Sequence, residues 1–211
     1  MSKRTHDETS VEKGKLTHND LFDACAADDL ETVKRAIGQG LDLNATDNEG
    51  YTPLFLALLF DHPRTAKELI KQRQVDVNKA ENDGWTPLHV ACRNNQLVLT
   101  QELITHGADI NRPDKDGWTP LHFACNFSNN IKAVEYLISQ GADTHKPTKS
   151  GSSPFRMAYN HCNVSIARCL ANYMKIEEIR KHLSAHSSRP SIDSMLRSIL
   201  VNRYNITVSY F

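Results

Sequence analysis

Residues 86–92 read TPLHVAC and residues 119–125 read TPLHFAC, 33 positions further on. The same order of residue types opens at Thr52 as TPLFLAL and at Ser153 as SPFRMAY. NDLFDAC, starting at Asn19, carries the series toward the N-terminus, so successive spacings are 33, 34, 33 and 34. Two more markers keep step. GLDLN (40–44), QVDVN (74–78), GADIN (107–111) and GADTH (141–145) form one; Gly50, Gly84, Gly117 and Gly151 form the other. Self-similarity at a fixed period of this length is the signature of a solenoid, in which one small unit recurs.

Local chemistry says what the unit is. A threonine followed by proline suits a helix start, because threonine can cap and proline tolerates the first helical position. Leu54 with Ala57, Leu88 with Ala91, and Leu121 with Ala124 then share one helical face. Second helices follow at LVLTQELI (97–104) and IKAVEYLI (131–138), and Gly107 and Gly141 stand where a helix ends and a positive φ is useful. Each unit is too small to bury its apolar face alone, so stacking must make the core.

These residues strongly resemble ankyrin repeats over residues 17–183, in five units: 17–50, 51–84, 85–117, 118–151 and 152–183. The resemblance implies an all-α solenoid of helix–turn–helix units joined by β-turn fingers. Residues 1–16 read as a disordered tail. The first unit lacks Thr-Pro and carries Asp20, Asp23, Asp28 and Asp29, the polar outer face of a cap. The fifth lacks a following finger. MKIEEIRKHL (174–183) continues as a helix, and SIDSMLRSILVNRY reads as a C-terminal capping helix with Ile192, Met195, Leu196, Ile199 and Leu200 on one face, within a segment 184–211. The final NITVSYF reads as extended or disordered.

Composition excludes several function classes. The 211 residues hold 25 basic and 25 acidic side chains, and mean hydropathy is −0.51. A uniformly basic nucleic-acid binder is excluded by that balance, and no apolar run reaches the roughly 18 residues of a membrane span. Residues 1–15 have no apolar secretory core, and the odd count of five cysteines argues against a disulfide framework. The expected setting is therefore intracellular, cytoplasmic or nuclear, or the host cytosol for a secreted bacterial effector. The charge is nevertheless polarised: residues 17–50 are net −6, residues 152–183 net +3 and residues 184–211 net +2.

No catalytic, cofactor or metal constellation is found. Cys25, Cys92 and Cys125 each follow the core alanine or its equivalent and are expected to be buried thiols. His89 and His122 share one repeat position, where the resemblance implies hydrogen bonds that tie loops together. His161, Cys162 and Cys169 lack a fourth ligand at zinc spacing. Isolated glycines do not make a phosphate loop.

Function is therefore expected from the surface: a non-enzymatic protein–protein interaction module, monomeric, working as an inhibitor, scaffold or adaptor. The resemblance implies a concave face lined by fingers and first helices. Tyr51, Trp85 and Trp118 precede successive Thr-Pro pairs and form the expected row of anchors. Phe60, Arg93, Asn94 and Phe127 end the first helices on the same side; Glu49, Asp83 and Asp116 at the finger tips supply an acidic rim. Trp, Tyr and Arg are the types enriched at binding hot spots. The alternative is packing of the aromatics against the next finger. A second functional reading comes from PSIDSMLR (190–197), which resembles the opening of a SOCS box and implies a ubiquitin-ligase adaptor with Ile192 entering elongin C. Leu196 stands where that box has cysteine, and no Leu-Pro-rich segment follows. Ser209-Tyr210-Phe211 fits the loose pattern of PDZ ligands.

Overall fold

The structure is a computed structural model and describes residues 14–127, 131–184 and 189–204. Among these residues twelve helices and no strands are found. They come in pairs: α1 (His18–Ala26) with α2 (Leu30–Gly38), α3 (Pro53–Leu59) with α4 (Pro63–Ile70), and α5 (Pro87–Arg93) with α6 (Leu97–Thr105). α7 (Pro120–Phe127) pairs with α8 (Ile131–Ser139), α9 (Pro154–Asn160) with α10 (Val164–Ala171), and α11 (Ile176–Ser184) with α12 (Pro190–Tyr204). First helices pack on first helices from α1 through α9, and second helices on second helices, so each pair packs chiefly on its neighbours. The result is the all-α stack that the repeat predicts.

The helix starts follow the sequence. Thr52 and Ser153 accept the backbone N–H of Phe55 and Arg156 through their hydroxyls, at 3.1 and 3.3 Å. Thr86 and Thr119 do it differently. Each donates its own N–H to Nδ1 of the histidine three positions on, 2.9 Å to His89 and 3.1 Å to His122, with the hydroxyl 2.8 Å from the same nitrogen. An accepting Nδ1 leaves the proton on Nε2, which donates across the stack to the carbonyls of Trp118 and Ser152, both at 3.1 Å. Both rings are fully buried.

The core is one continuous ladder. Leu54, Leu88 and Leu121 are at most 1% exposed, and Ala57, Ala91 and Ala124 are fully buried. Alanine at that position lets neighbouring helices approach, and leucine fills the space beside it. Asparagine continues the ladder under the fingers. Asn78 donates to the Gly107 carbonyl at 2.9 Å and accepts from Asp109 N–H at 2.7 Å, and Asn44 and Asn111 repeat the arrangement one unit before and after.

The ends refine the expected boundaries. Leu16, assigned from sequence to the N-terminal tail, packs against the core and donates its N–H to Gln39 Oε1 at 2.8 Å. Residues 1–13 and the NITVSYF segment lie outside the described residues. At the other end a turn at 172–175 separates α10 from α11, and Glu178 accepts the Lys175 N–H at 2.8 Å to start the new helix. α11 packs chiefly on α12, so the boundary drawn at residue 183 falls inside α11. Ile192, Met195, Leu196 and Leu200 of α12 are buried, and Ile199 is half-buried.

Candidate protein-binding surface

The first three fingers are built the same way. An acidic side chain four residues before the aromatic accepts that residue's N–H: Asp47 from Tyr51, Glu81 from Trp85 and Asp114 from Trp118, each at 2.8 Å. The aromatic's carbonyl then accepts the N–H of that same acid, at 3.1, 3.0 and 2.8 Å. This closed turn aims Tyr51, Trp85 and Trp118 from the base of their fingers. Burial raises the pKa of the Asp114 carboxyl against the opposing pull of the backbone N–H groups it accepts. The bracing acids were missed from sequence, although an acid four positions before each aromatic was there to be read.

Neighbouring fingers are joined through backbone. The carbonyls of Glu49, Asp83 and Asp116 accept the N–H groups of Asn82, Lys115 and Lys149, at 3.4, 3.0 and 2.9 Å. The side chains of Glu49, Asp83 and Asp116 stay exposed at the tips.

The aromatic row is half-buried. Trp85 meets Phe123 edge-on, with ring centroids 4.6 Å apart; Trp118 lies 5.2 Å from Phe123 and 6.2 Å from Phe127. Tyr51 stacks on Phe55 at 4.8 Å. The difference from a row of fully exposed anchors has a physical cause. The position held by Leu56 and Val90 in earlier repeats is Phe123 in the fourth, and its ring fills the space between the two tryptophans. The packing alternative therefore holds in part: each indole packs against Phe123 and stays half-exposed.

Arg93 completes the patch. Its guanidinium lies 5.6 Å from the Trp85 centroid and 5.5 Å from that of Phe127, exposed and with no ion pair among the described residues. Cation–π contact with two rings holds the planar guanidinium in place at the surface. Phe60 and Phe127 are 51% and 53% exposed. Asn94 is half-buried and engaged: its amide donates to the carbonyls of Leu58 and Leu59, capping α3 across the repeat boundary.

A protein-family model described as ankyrin repeats (3 copies) matches residues 21–114 and again 97–181. The chain belongs to the ankyrin repeat family. As an ankyrin repeat protein it is a protein–protein interaction module. A search of curated proteins finds no match for it. No group of three or more His, Cys, Asp or Glu able to hold a metal ion occurs among the described residues of the ankyrin stack. His161 is instead bonded to Asn126 at 2.7 Å. No helix among those residues is long and apolar enough to cross a membrane. All five cysteines are free; Cys25, Cys92 and Cys125 are buried, Cys169 is half-buried and Cys162 is exposed. Ile192, the residue a SOCS-box reading would offer to elongin C, is 1% exposed against the stack.

Proposed function

We propose that this chain is a non-enzymatic adaptor, scaffold or inhibitor that grips another protein across the face formed by its fingers and first helices. One observation carries the reading. Arg93 is held between Trp85 and Phe127, beside Trp118, with no carboxylate paired to it among the described residues. Large rigid rings bury much area for little lost side-chain entropy, and a prepositioned guanidinium binds a carboxylate bidentately. Tyr51 and Phe60 extend the patch toward the acidic end of the stack. Glu49, Asp83 and Asp116 border it with negative charge.

The partner that fits is a protein with an apolar strip, a carboxylate opposite Arg93, and lysine or arginine along the border. The axial charge, acidic at residues 17–50 and basic beyond 152, orients the approach and speeds encounter more than it adds affinity. No nucleic acid, metal, cofactor or membrane takes part, and the chain acts as a monomer inside the cell.

The test is affinity purification with mass spectrometry, comparing wild type with Trp85→Ala/Trp118→Ala and with Arg93→Glu. A specific partner retained by wild type and lost from both variants, at unchanged helical content, supports the reading. Equal recovery by all three proteins removes this face as the site.

A further inference from the structure

The finger ladder ends with a vacant position. Gly50, Gly84 and Gly117 each sit so close to the next finger that a Cβ would lie 2.8, 3.0 and 2.9 Å from Asn82, Lys115 and Lys149. Gly151, with the same positive φ, has nothing within 4 Å. The carbonyls of Glu49, Asp83 and Asp116 each accept an N–H from the following finger, whereas that of Ser150, next in the series, accepts none among the described residues. The cause is in the sequence: repeat five passes directly from α10 through residues 172–175 into α11, with no finger between.

The vacancy is a cleft of about 290 Å³, floored by Phe155 and Met174 and walled by Arg156, Lys181 and His182. Phe155 and Met174 are buried, and the His182 ring sits 4.7 Å from Phe155, tilted 60° to it. Arg156 occupies the repeat position of His89 and His122, the two residues that donate to the next finger's backbone. With no next finger it is exposed, and neither it nor Lys181 has an ion pair among the described residues. Glu178, the one acid lining the cleft, is already engaged by Lys175 N–H and faces His145 at 3.7 Å.

We propose that this cleft is a second docking site, where a short acidic turn segment of another protein takes the place of the missing fifth finger. Its backbone N–H pairs with the Ser150 carbonyl, extending the ladder as an added strand extends a sheet edge. Its carboxylates meet Arg156 and Lys181. A second folded copy cannot supply the segment as its first finger, because the α1–α2 pair preceding that finger would fall on α9–α10. The site is separate from the aromatic face, and its test does not depend on that reading.

The probe is a synthetic cyclic hairpin of residues 43–53, LNATDNEGYTP, the finger with two acids and no base. Its Asn48 N–H stands where Asn82, Lys115 and Lys149 donate in later fingers. Fluorescence anisotropy with the full chain should show binding. Arg156→Glu/Lys181→Glu should weaken it about tenfold or more, as should N-methylation at Asn48, which removes the donor and keeps the charge. Trp85→Ala/Trp118→Ala should leave it unchanged. Unchanged melting of the Arg156→Glu/Lys181→Glu protein excludes unfolding as the cause. The proposal is overturned if a peptide with Asp47 and Glu49 replaced by lysine binds as well, if N-methylation has no effect, or if the tryptophan variant abolishes binding. It also falls if the peptide binds only after residues 205–211 are removed, which would make this chain's own C-terminal segment the occupant.

Discussion

The Nε2–H of His89 donates to the carbonyl oxygen of Trp118 at 3.1 Å, so a fully buried side chain of one repeat fixes the backbone beneath a surface indole of the next. At its other nitrogen the ring must be neutral, because Nδ1 accepts the Thr86 N–H and a protonated Nδ1 cannot. The same polar network that joins the repeats therefore sets the backbone under Trp118, and protonation breaks its Thr86–His89 half.

Burial lowers the His89 pKa from 6.5 to about 4, and desolvation lowers that of His122 in the same direction. The unfolded chain takes up the proton at the ordinary value. The stability contributed by neutral His89 is thus fully present above pH 6.5 and is lost progressively as pH falls from 6.5 to about 4. The slope is up to about 1.4 kcal/mol per pH unit. Urea unfolding across that range should show wild type losing stability faster than His89→Gln, which starts less stable. Parallel curves for the two proteins would contradict the assignment.

Phe123 is 2% exposed and touches both Trp85 and Trp118. Phe123→Ala should cost about 3–5 kcal/mol of stability, since it removes a core ring and leaves a cavity. Trp85→Ala and Trp118→Ala remove half-buried rings and should lower the melting temperature less, while each costs about 2 kcal/mol of partner binding. Calorimetric melting beside a titration with the purified partner separates the two effects.

Burial raises the Cys25 and Cys92 thiols to a pKa of about 12 and pushes Cys125 in the same direction. A native thiol-labelling time course should therefore show Cys162 reacting first, Cys169 more slowly, and the three buried thiols only on unfolding. Fast native labelling of Cys92 or Cys125 would contradict the packing.

Cys162 also holds φ at 56°, in the helix-to-helix turn where Asp28, Asp61 and Asn95 stand at 57–60° in other repeats. Aspartate and asparagine tolerate that left-handed conformation and cysteine does so poorly. Cys162→Asn should raise stability by about 0.5–1 kcal/mol, read from the denaturant midpoint.

α12 covers the last repeat with Ile192, Met195, Leu196 and Leu200 and is tied to it where Arg203 donates to the Asn172 carbonyl at 2.7 Å. Deleting residues 188–211 should lower the melting temperature and promote aggregation by baring both faces. A deletion that leaves melting unchanged and abolishes only elongin C binding would favour the ligase-adaptor reading.

The period of 33–34 residues, the Thr-Pro helix starts and the alanine and leucine positions were enough to read the stack. These features are local, and in a solenoid each unit meets only its neighbours, so local pattern becomes global form with little left to choose. The row of Tyr51, Trp85 and Trp118 was legible for the same reason: one period returns one position to one side. How deeply those rings sit was not, because it depends on Phe123, a residue of a different repeat position reaching between two fingers. Nor did spacing show that Arg93 would lie between Trp85 and Phe127, which are 42 positions apart in the chain. The absent fifth finger could be read as a gap in a pattern. Whether that gap closes depends on where α11 packs, and it packs on α12, leaving Gly151 and Arg156 facing open space.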